Sequence, residues 1–340
     1  MNPLFVSQEE VFSFYKNGDR VEQKTEVRFD PLTGESSRLV VDPGMQPAKT
    51  DYFEEGVETG GDQCPFCPEN LEAFTPVFPK EISPEGRIRK GESVVFPNLF
   101  PYSKHNGVVV LSEEHYVTLK NFTIPMMRDA FQAAQQYIQQ VLRSEEEVMY
   151  ASINWNYLPE AGGSILHPHL HVVVSEAATN YQSLFDRKSR AFQENHGIEY
   201  LAWLYDQEKD GERWIGEKGN TAWMHSFAPK SHYDFQAIFK GLTDITEFKQ
   251  QDWEDFASGL QAVFLTLQEE GLASFNMSLT FSNEGSPAHA RVIPRLSYSG
   301  VGTSDMNFFH TLHQEPIVYK NPEKAAAKVR KNFEGDNALP

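Results

Sequence analysis

The segment GGSILHPHLHVVVSE, residues 162–176, sets His167, His169 and His171 at alternate positions ahead of a β-branched run. Alternation is the period of a strand, so the three rings are expected on one face of a buried strand. A lone histidine there reads most simply as a hydrogen-bonded core residue. Three in register each need a partner for a polar ring. The preceding EAGGS is small and glycine-rich, which lets a ligand approach the backbone, and its amides with Ser164 can receive an anion. An imidazole whose Nδ1–H is held by a carbonyl keeps Nε2 free as a nucleophile. A phosphate set against that nitrogen is placed for nucleotidyl transfer through a phosphohistidine.

The two cysteines, Cys64 and Cys67, stand in GGDQCPFCPEN. One pair this close in a long chain is not a disulfide framework. Gly60, Gly61, Pro65 and Pro68 around it describe a tight knuckle. A knuckle that aims two thiolates at one point suits zinc, with two further ligands from elsewhere. A redox dithiol or a pair of incidental thiols are the alternatives.

Several elements must position these groups. Residues 26–42 read as a hairpin around DPLTG. SVVFPNLF and NGVVVLSE read as strands, followed by YVTLKN. Apolar residues from Ile124 to Val141 recur at helical spacing, with Pro125 in the first turn, giving a helix over 124–147. VMYASINWN is a strand, then come the loop YLPEAGGSIL and the histidine strand, and a helix over 181–196. The order then recurs: strands TAWMHSFA and DFQAIFK, the helix QQDWEDFASGLQAVFLTLQEEG, the strand FNMSLTFS, the loop NEGSPA and the strand HARVIPRL. Two related α+β units follow, antiparallel sheets flanked by helices, divided at 1–200 and 201–340. The second keeps one histidine, His289, where the first has a cluster. NPEKAAAKVRKNFE reads as a short exposed C-terminal helix.

The chain has 340 residues, with 30 basic and 48 acidic side chains and a formal net charge of −18. That field attracts neither nucleic acid nor an anionic membrane, though it leaves room for a small anion in a local pocket of donors. No apolar run approaches the ~20 residues that cross a bilayer, and no basic segment followed by an apolar stretch opens the chain. A cytoplasmic protein is expected.

GGSILHPHLH resembles the active-site strand of the galactose-1-phosphate uridylyltransferase family, a branch of the histidine-triad superfamily, which reads Gly-x-Ser-x-x-His-Pro-His-x-Gln. Gly162, Ser164, His167, Pro168 and His169 match it. DPLTGE, CPFCPEN, VFPNLFP with Asn98, Asn156, and NFFHTLHQEPIVYKNPEKAAAKVR are similar to further family segments in the same order, from about residue 28 to 331. The resemblance implies two histidine-triad-like repeats, the first catalytic with a zinc knuckle and the second degenerate. It makes His169 the nucleophile, with Asn98, Asn156, Gly162 and Ser164 on the nucleotide and its phosphate. It makes Cys64, Cys67, His115 and His167 the ligands of a structural zinc, with His115 on a strand after VVVLSE and His105, in a loop, the weaker fourth ligand. The substrates implied are a nucleotide sugar and a phosphorylated acceptor or inorganic phosphate, and a homodimer is expected by analogy.

The chain departs from that pattern in places. His171 stands where the transferases have glutamine and histidine-triad hydrolases have histidine, so a second catalytic role in proton transfer is expected for it. DPGMQPAK replaces an arginine-containing segment, and Thr311 and Ile317 fall at the hexose-reading positions. Arg291 replaces the second histidine of a His-x-His metal site, so iron is not expected there. A hydrolase or phosphorylase of the histidine-triad type is the alternative activity.

Overall fold

Period-two alternation builds the centre of the molecule. In ASINWNY, Ile153, Trp155 and Tyr157 enter a buried core while Ser152, Asn154 and Asn156 take the other face. The computed structural model describes residues 4–145, 147, 150–282 and 285–335. In chain order the strands β1 (Val6–Lys16), β2 (Asp19–Phe29) and β3 (Ser36–Leu39) precede the short helices α1 (Phe53–Thr59) and α2 (Pro68–Phe74). The first repeat follows: β4 (Ile88–Lys90), β5 (Ser93–Pro97), β6 (His105–Val110), α3 (Ile124–Ser144), β7 (Tyr150–Tyr157) and β8 (His169–Ser175). Helices α4 (Asn180–His196) and α5 (Tyr200–Glu208) lead to the second: β9 (Trp214–Lys218), β10 (Thr221–His225), β11 (Phe235–Phe239), α6 (Gln250–Glu269), β12 (Ser274–Thr280) and β13 (His289–Arg295). Helix α7 (Pro322–Gly335) closes the described chain.

One antiparallel sheet carries both repeats, in the order β4-β5-β6-β8-β7-β12-β13-β11-β10-β9. The order reads the same from either end, with the seam at β7·β12. Register confirms the repeat. Val94 faces Val110 and Val110 faces His169, as Ala222 faces Ile238 and Ile238 faces His289. His289 is therefore the counterpart of His169, and Arg291, opposite Gln236, that of His171, opposite Val108.

Helices α3, α6 and α7 cover one face over a core that runs through both halves. The expected start of α3 holds, with Thr123 accepting from the Met126 N–H and Pro125 in the first turn. On the other face α2 packs through Leu71 on Val94, Phe96, Val108 and Val110, and α4 and α5 pack on Met224 and Ile238. The middle strands β8, β7 and β12 and the part of β13 beyond His289 stay uncovered by helices there. That opening holds the polar residues of the site.

Three expectations need correction. YVTLKN is not a strand but a loop ending in one 3-10 turn, Leu119–Asn121. Strand β8 begins at His169, so His167 precedes it, and β8 is fully buried on one face only, through Leu170, Val172 and Val174. Helix α7 is amphipathic rather than simply exposed, burying Ala325, Ala326, Val329 and Phe333. A long β1–β2 hairpin, turning at Asn17 and Gly18 with positive φ at both, pairs through β2 with β3, which pairs on its other side with Ile317–Val318.

Candidate active site and metal centre

The knuckle is formed by a short 3-10 turn before Cys64 and by α2 starting immediately after Cys67. Its thiols are free and buried, and the Phe66 N–H points at Cys64 Sγ, 3.4 Å away. Cys64, Cys67, His115 and His167 bring one ligand atom each to within 4.8 Å of the others. Nδ1 of His167 lies 3.8 Å from both sulfurs, and Nδ1 of His115 lies 3.6 Å from Cys67 Sγ. Donors placed at zinc–sulfur and zinc–nitrogen bond lengths around a tetrahedral ion would be about 3.6 Å apart, so the set has the right size.

The outer contacts fix which nitrogen is presented. His167 donates Nε2–H to the Ser112 carbonyl at 2.8 Å. The Thr59 hydroxyl donates to the Glu55 carbonyl and so accepts from His115 Nε2–H at 3.0 Å. Both rings turn an Nδ1 lone pair toward the thiols, the arrangement expected of ligating histidines. Burial lowers both imidazoles, His167 to about 4, and pushes the Cys64 thiol up to about 11, so a thiolate here needs a cation. The residues fit a closed Cys2His2 metal site. His115 lies in the loop after β6 and not on a strand. His105 opens β6, is bound to Glu145 at 2.6 Å, and takes no part.

Across Phe66, whose ring centre is 5.2 Å from that of His169, a cleft of about 280 Å³ opens. Asn98, Asn156, Gly162, Ser164, His169 and His171 all line it, with Phe66, Phe100 and Tyr102. His169 donates Nδ1–H to the His167 carbonyl at 2.8 Å, which leaves Nε2 for the cleft. Burial lowers its affinity for protons and holds the ring neutral near pH 7. The ring of His171 lies 5.1 Å from it, lowered to about 4 chiefly by burial, with Nδ1 buried and unpartnered. A neutral His171 can donate one hydrogen bond or accept a proton. It acts as an acid only once an anion beside it restores its proton affinity.

The glycine loop departs from expectation in its donors. The amides of Gly162 and Gly163 are spent on the Pro159 and Leu158 carbonyls, so neither is free for an anion. Gly162 supplies shape, at φ +82°, and a Cβ on Gly163 would lie 2.9 Å from the Asn156 carbonyl. Ser164 stays exposed at the rim. Leu158 sits buried at φ 70°, ψ 166°, a conformation costing about 1–3 kcal/mol that surrounding contacts must hold. Those contacts were not foreseen. Tyr52 bonds Glu160, and Asn276 of β12 donates to both the Ala161 carbonyl and Asn156 Oδ1, each at 2.8 Å. Arg295 donates to Asn276 Oδ1 at 3.0 Å and is held by Asp305 in a two-pronged ion pair. Asn98 is committed to its own loop, accepting from the Phe100 N–H and donating to Asn106 Oδ1.

The counterpart histidine in the second repeat is engaged. Tyr181 bonds His289 Nε2 at 2.9 Å and Phe185 stacks on the ring at 4.3 Å, and the cavity on the Phe185 side is only about 30 Å³. Thr311, Ile317 and the segment 42–49 lie away from the His169 cleft.

No family model matches the chain. An uncharacterised protein of Archaeoglobus fulgidus is 33% identical over 334 residues, covering 96% of this chain and 98% of that protein. A uridylyltransferase structure superposes with a TM-score of 0.66 at 18% identity, covering 92% of this chain and 99% of the other. The chain belongs to one family with the archaeal protein and has the uridylyltransferase fold. An ADP-glucose phosphorylase from Arabidopsis thaliana, solved with ADP-glucose bound, has the same fold, at a TM-score of 0.69 and 16% identity over 90% of this chain and 99% of its own. Within the uridylyltransferase fold, the first repeat of this chain carries the metal-ligand set and the histidine with an unbonded Nε2, and the second carries the histidine whose Nε2 is bonded to Tyr181. No helix among the described residues is long and apolar enough to cross a membrane.

Proposed function

We propose that the chain is a nucleotidyltransferase acting on a nucleotide sugar, working by ping-pong through a nucleotidyl-His169. One observation carries the reading: His169, fixed through Nδ1, faces an open cleft, whereas its counterpart His289 is bonded through Nε2 and covered. Nε2 attacks the α-phosphorus of the bound nucleotide sugar. The P–N bond forms as the bond to the sugar phosphate breaks, and the pair of electrons leaves on that phosphate. The carbonyl of His167 holds the ring against rotation and stabilises positive charge developing on it. Asn156 and Ser164 offer polar groups to the nucleotide and its phosphate, and Asn98 builds the rim that carries Phe100. An acceptor phosphate then reverses the step.

Zinc is the proposed occupant of Cys64, Cys67, His115 and His167. With four protein ligands it would pin the knuckle to the segment bearing His169 and leave no position for substrate. Two cysteines used this way fit a reducing compartment, and we place the protein in the cytoplasm. A homodimer belongs to the same reading, with the projecting β1–β2 hairpin and its exposed Val11, Phe12 and Tyr15 as the surface offered.

Phosphorolysis or hydrolysis is the second reading. His171, able to take a proton from water or bond orthophosphate, favours it over a glutamine at that place. The phosphorylase among the similar structures adds support. Nucleotide sugars labelled at the α-phosphate decide. Label retained on native protein and lost in His169→Ala supports the covalent route, and orthophosphate or water discharging it identifies the acceptor. No label from UDP- or ADP-sugars, with turnover intact, refutes it. Poor exchange between UDP-glucose and galactose 1-phosphate is expected, since no carboxylate among the described residues lines the His169 cleft to pair with hexose hydroxyls.

A further inference from the structure

A second basin, about 330 Å³, adjoins the His169 cleft and shares Asn156 with it. One row of directly paired positions runs from that cleft across its floor. His171 faces Asn154, Asn154 faces Ser278, and Ser278 faces Arg291. The row crosses three strand spacings, about 14 Å between the β8 and β13 backbones. The middle of the row is uncharged and rich in hydroxyl and amide groups. Ser278 donates to Asn154 Oδ1 at 2.8 Å, and Asn154 donates to Ser152 Oγ at 2.9 Å.

At the far end the charge changes. In a chain with a net charge of −18, no carboxylate among the described residues lines this basin, and its described charged side chains are Lys230 and Arg291. Each cation is anchored from behind, Lys230 by Glu35 at 2.9 Å and Arg291 by Asp234 at 3.4 Å. Arg291 Nη2 is turned to Ser226, and its buried Nη1 makes no hydrogen bond. The Arg291 guanidinium, whose buried Nη1 has only the longer 3.4 Å ion pair with Asp234, offers a donor to an anionic group at the end of a polar trough.

Resting on the proposed transfer reaction, we infer that this trough seats the sugar phosphate that leaves and the acceptor that replaces it. We further infer that it selects an acceptor with a second anionic group at the far end of its sugar. With its reactive phosphate at His169, a hexose 1-phosphate lies over Asn154 and Ser278 and stops short of the cations. A phosphate or carboxylate at the sugar's other end meets Lys230 and Arg291. In transfer, an oxygen of the acceptor's near phosphate bonds to the nucleotidyl phosphorus, the P–Nε2 bond breaks, and its electron pair returns to the ring of His169.

The experiment has two readouts on the whole protein. Calorimetry measures binding of glucose 1-phosphate, glucuronic acid 1-phosphate and glucose 1,6-bisphosphate, and rapid mixing measures discharge of the labelled intermediate by each, per loaded protein. Glucose 1,6-bisphosphate is expected to bind at least tenfold more tightly than glucose 1-phosphate, and glucuronic acid 1-phosphate to fall between. The advantage should collapse in Arg291→Gln. Since that change strands Asp234, Lys230→Met, at a more exposed position, provides the second variant and should lose most of the advantage. Equal binding of the mono- and bisphosphate by native protein overturns the inference, as does an advantage that survives both substitutions. Failure of any nucleotide sugar to label the protein, with the binding preference intact, refutes the transfer reading and leaves the anionic subsite standing.

Discussion

Asn276 is where the second repeat grips the first, and its replacement has a calculable effect. Its Nδ2 donates to the Ala161 carbonyl and to Asn156 Oδ1, and its Oδ1 accepts from Arg295. Asn276→Ala removes two neutral hydrogen bonds, about 1 kcal/mol each, and one to a charged donor, about 1.5–3 kcal/mol. The side chain is half-buried, so water replaces part of this, and the expected loss of stability is about 2–3 kcal/mol. The loop holding Leu158 in its unfavourable conformation then loses a restraint beside the nucleophile. A displacement of about 1 Å there costs on the order of 10²-fold in the transfer step. Asn276→Asp separates the two effects. Its carboxylate keeps Arg295 paired and restores most of the stability, but it cannot donate to Ala161. Denaturant unfolding and single-turnover labelling measure the two quantities in both variants. Native labelling rates in Asn276→Asp, or an Asn276→Ala protein destabilised by less than about 0.5 kcal/mol, would refute the reasoning, because the bridge would then be incidental.

Three more predictions address the metal, the third histidine and the C-terminal helix. Elemental analysis is expected to find one zinc per chain. Cys64→Ser or a strong chelator should lower stability and labelling together, because ligand pairing holds the knuckle to the His167 segment. His171→Gln is expected to keep formation of the covalent intermediate while slowing its loss to water, measured as formation and decay rates in single turnovers. Loss of formation as complete as in His169→Ala shows His171 to be obligatory for attack. Glu323, bonded to Arg28 and Arg213, is held at about 2 against 4.5 in the unfolded chain, although burial alone would raise it. A depressed carboxyl stabilises above its unfolded value, so about 3 kcal/mol is present above pH ~4.5 and drains away toward pH 2. Unfolding free energies of native protein and Glu323→Gln should therefore converge over that window, and a constant gap refutes the assignment.

Strong periodicity made the frame legible. The helices over 124–144 and 250–269 and the strands around 150, 170, 275 and 290 follow directly from their apolar spacing. The cysteine pair and the histidine run pointed to the cleft and the metal-ligand set because those residue types have few other uses. What escaped was local or distant. The β1–β2 hairpin carries an Asn17–Gly18 turn, but β1 has no buried face and so no apolar alternation to mark it as a strand. The apolar run VVVLSE points to a strand continuing into His115, but the chain leaves the sheet at Leu111 to reach the knuckle. The Asn276 and Arg295 bridge is beyond sequence reading, since it joins residues more than a hundred positions from Asn156 and depends on the register of β7 against β12.

The seam between β7 and β12 also limits how the molecule can be divided. Each strand's ladder of N–H and C=O groups on that side is satisfied only by the other, over six paired positions from Ser152–Thr280 to Tyr157–Phe275. Behind it, Trp155 packs against Phe264 and Phe275 of the opposite half. A chain cut at the repeat boundary would present a bare, sticky edge backed by uncovered aromatic rings, the state most prone to pair with strangers. The half that carries the histidines therefore stays soluble only while shielded by a half whose own strand histidine is tied up by Tyr181.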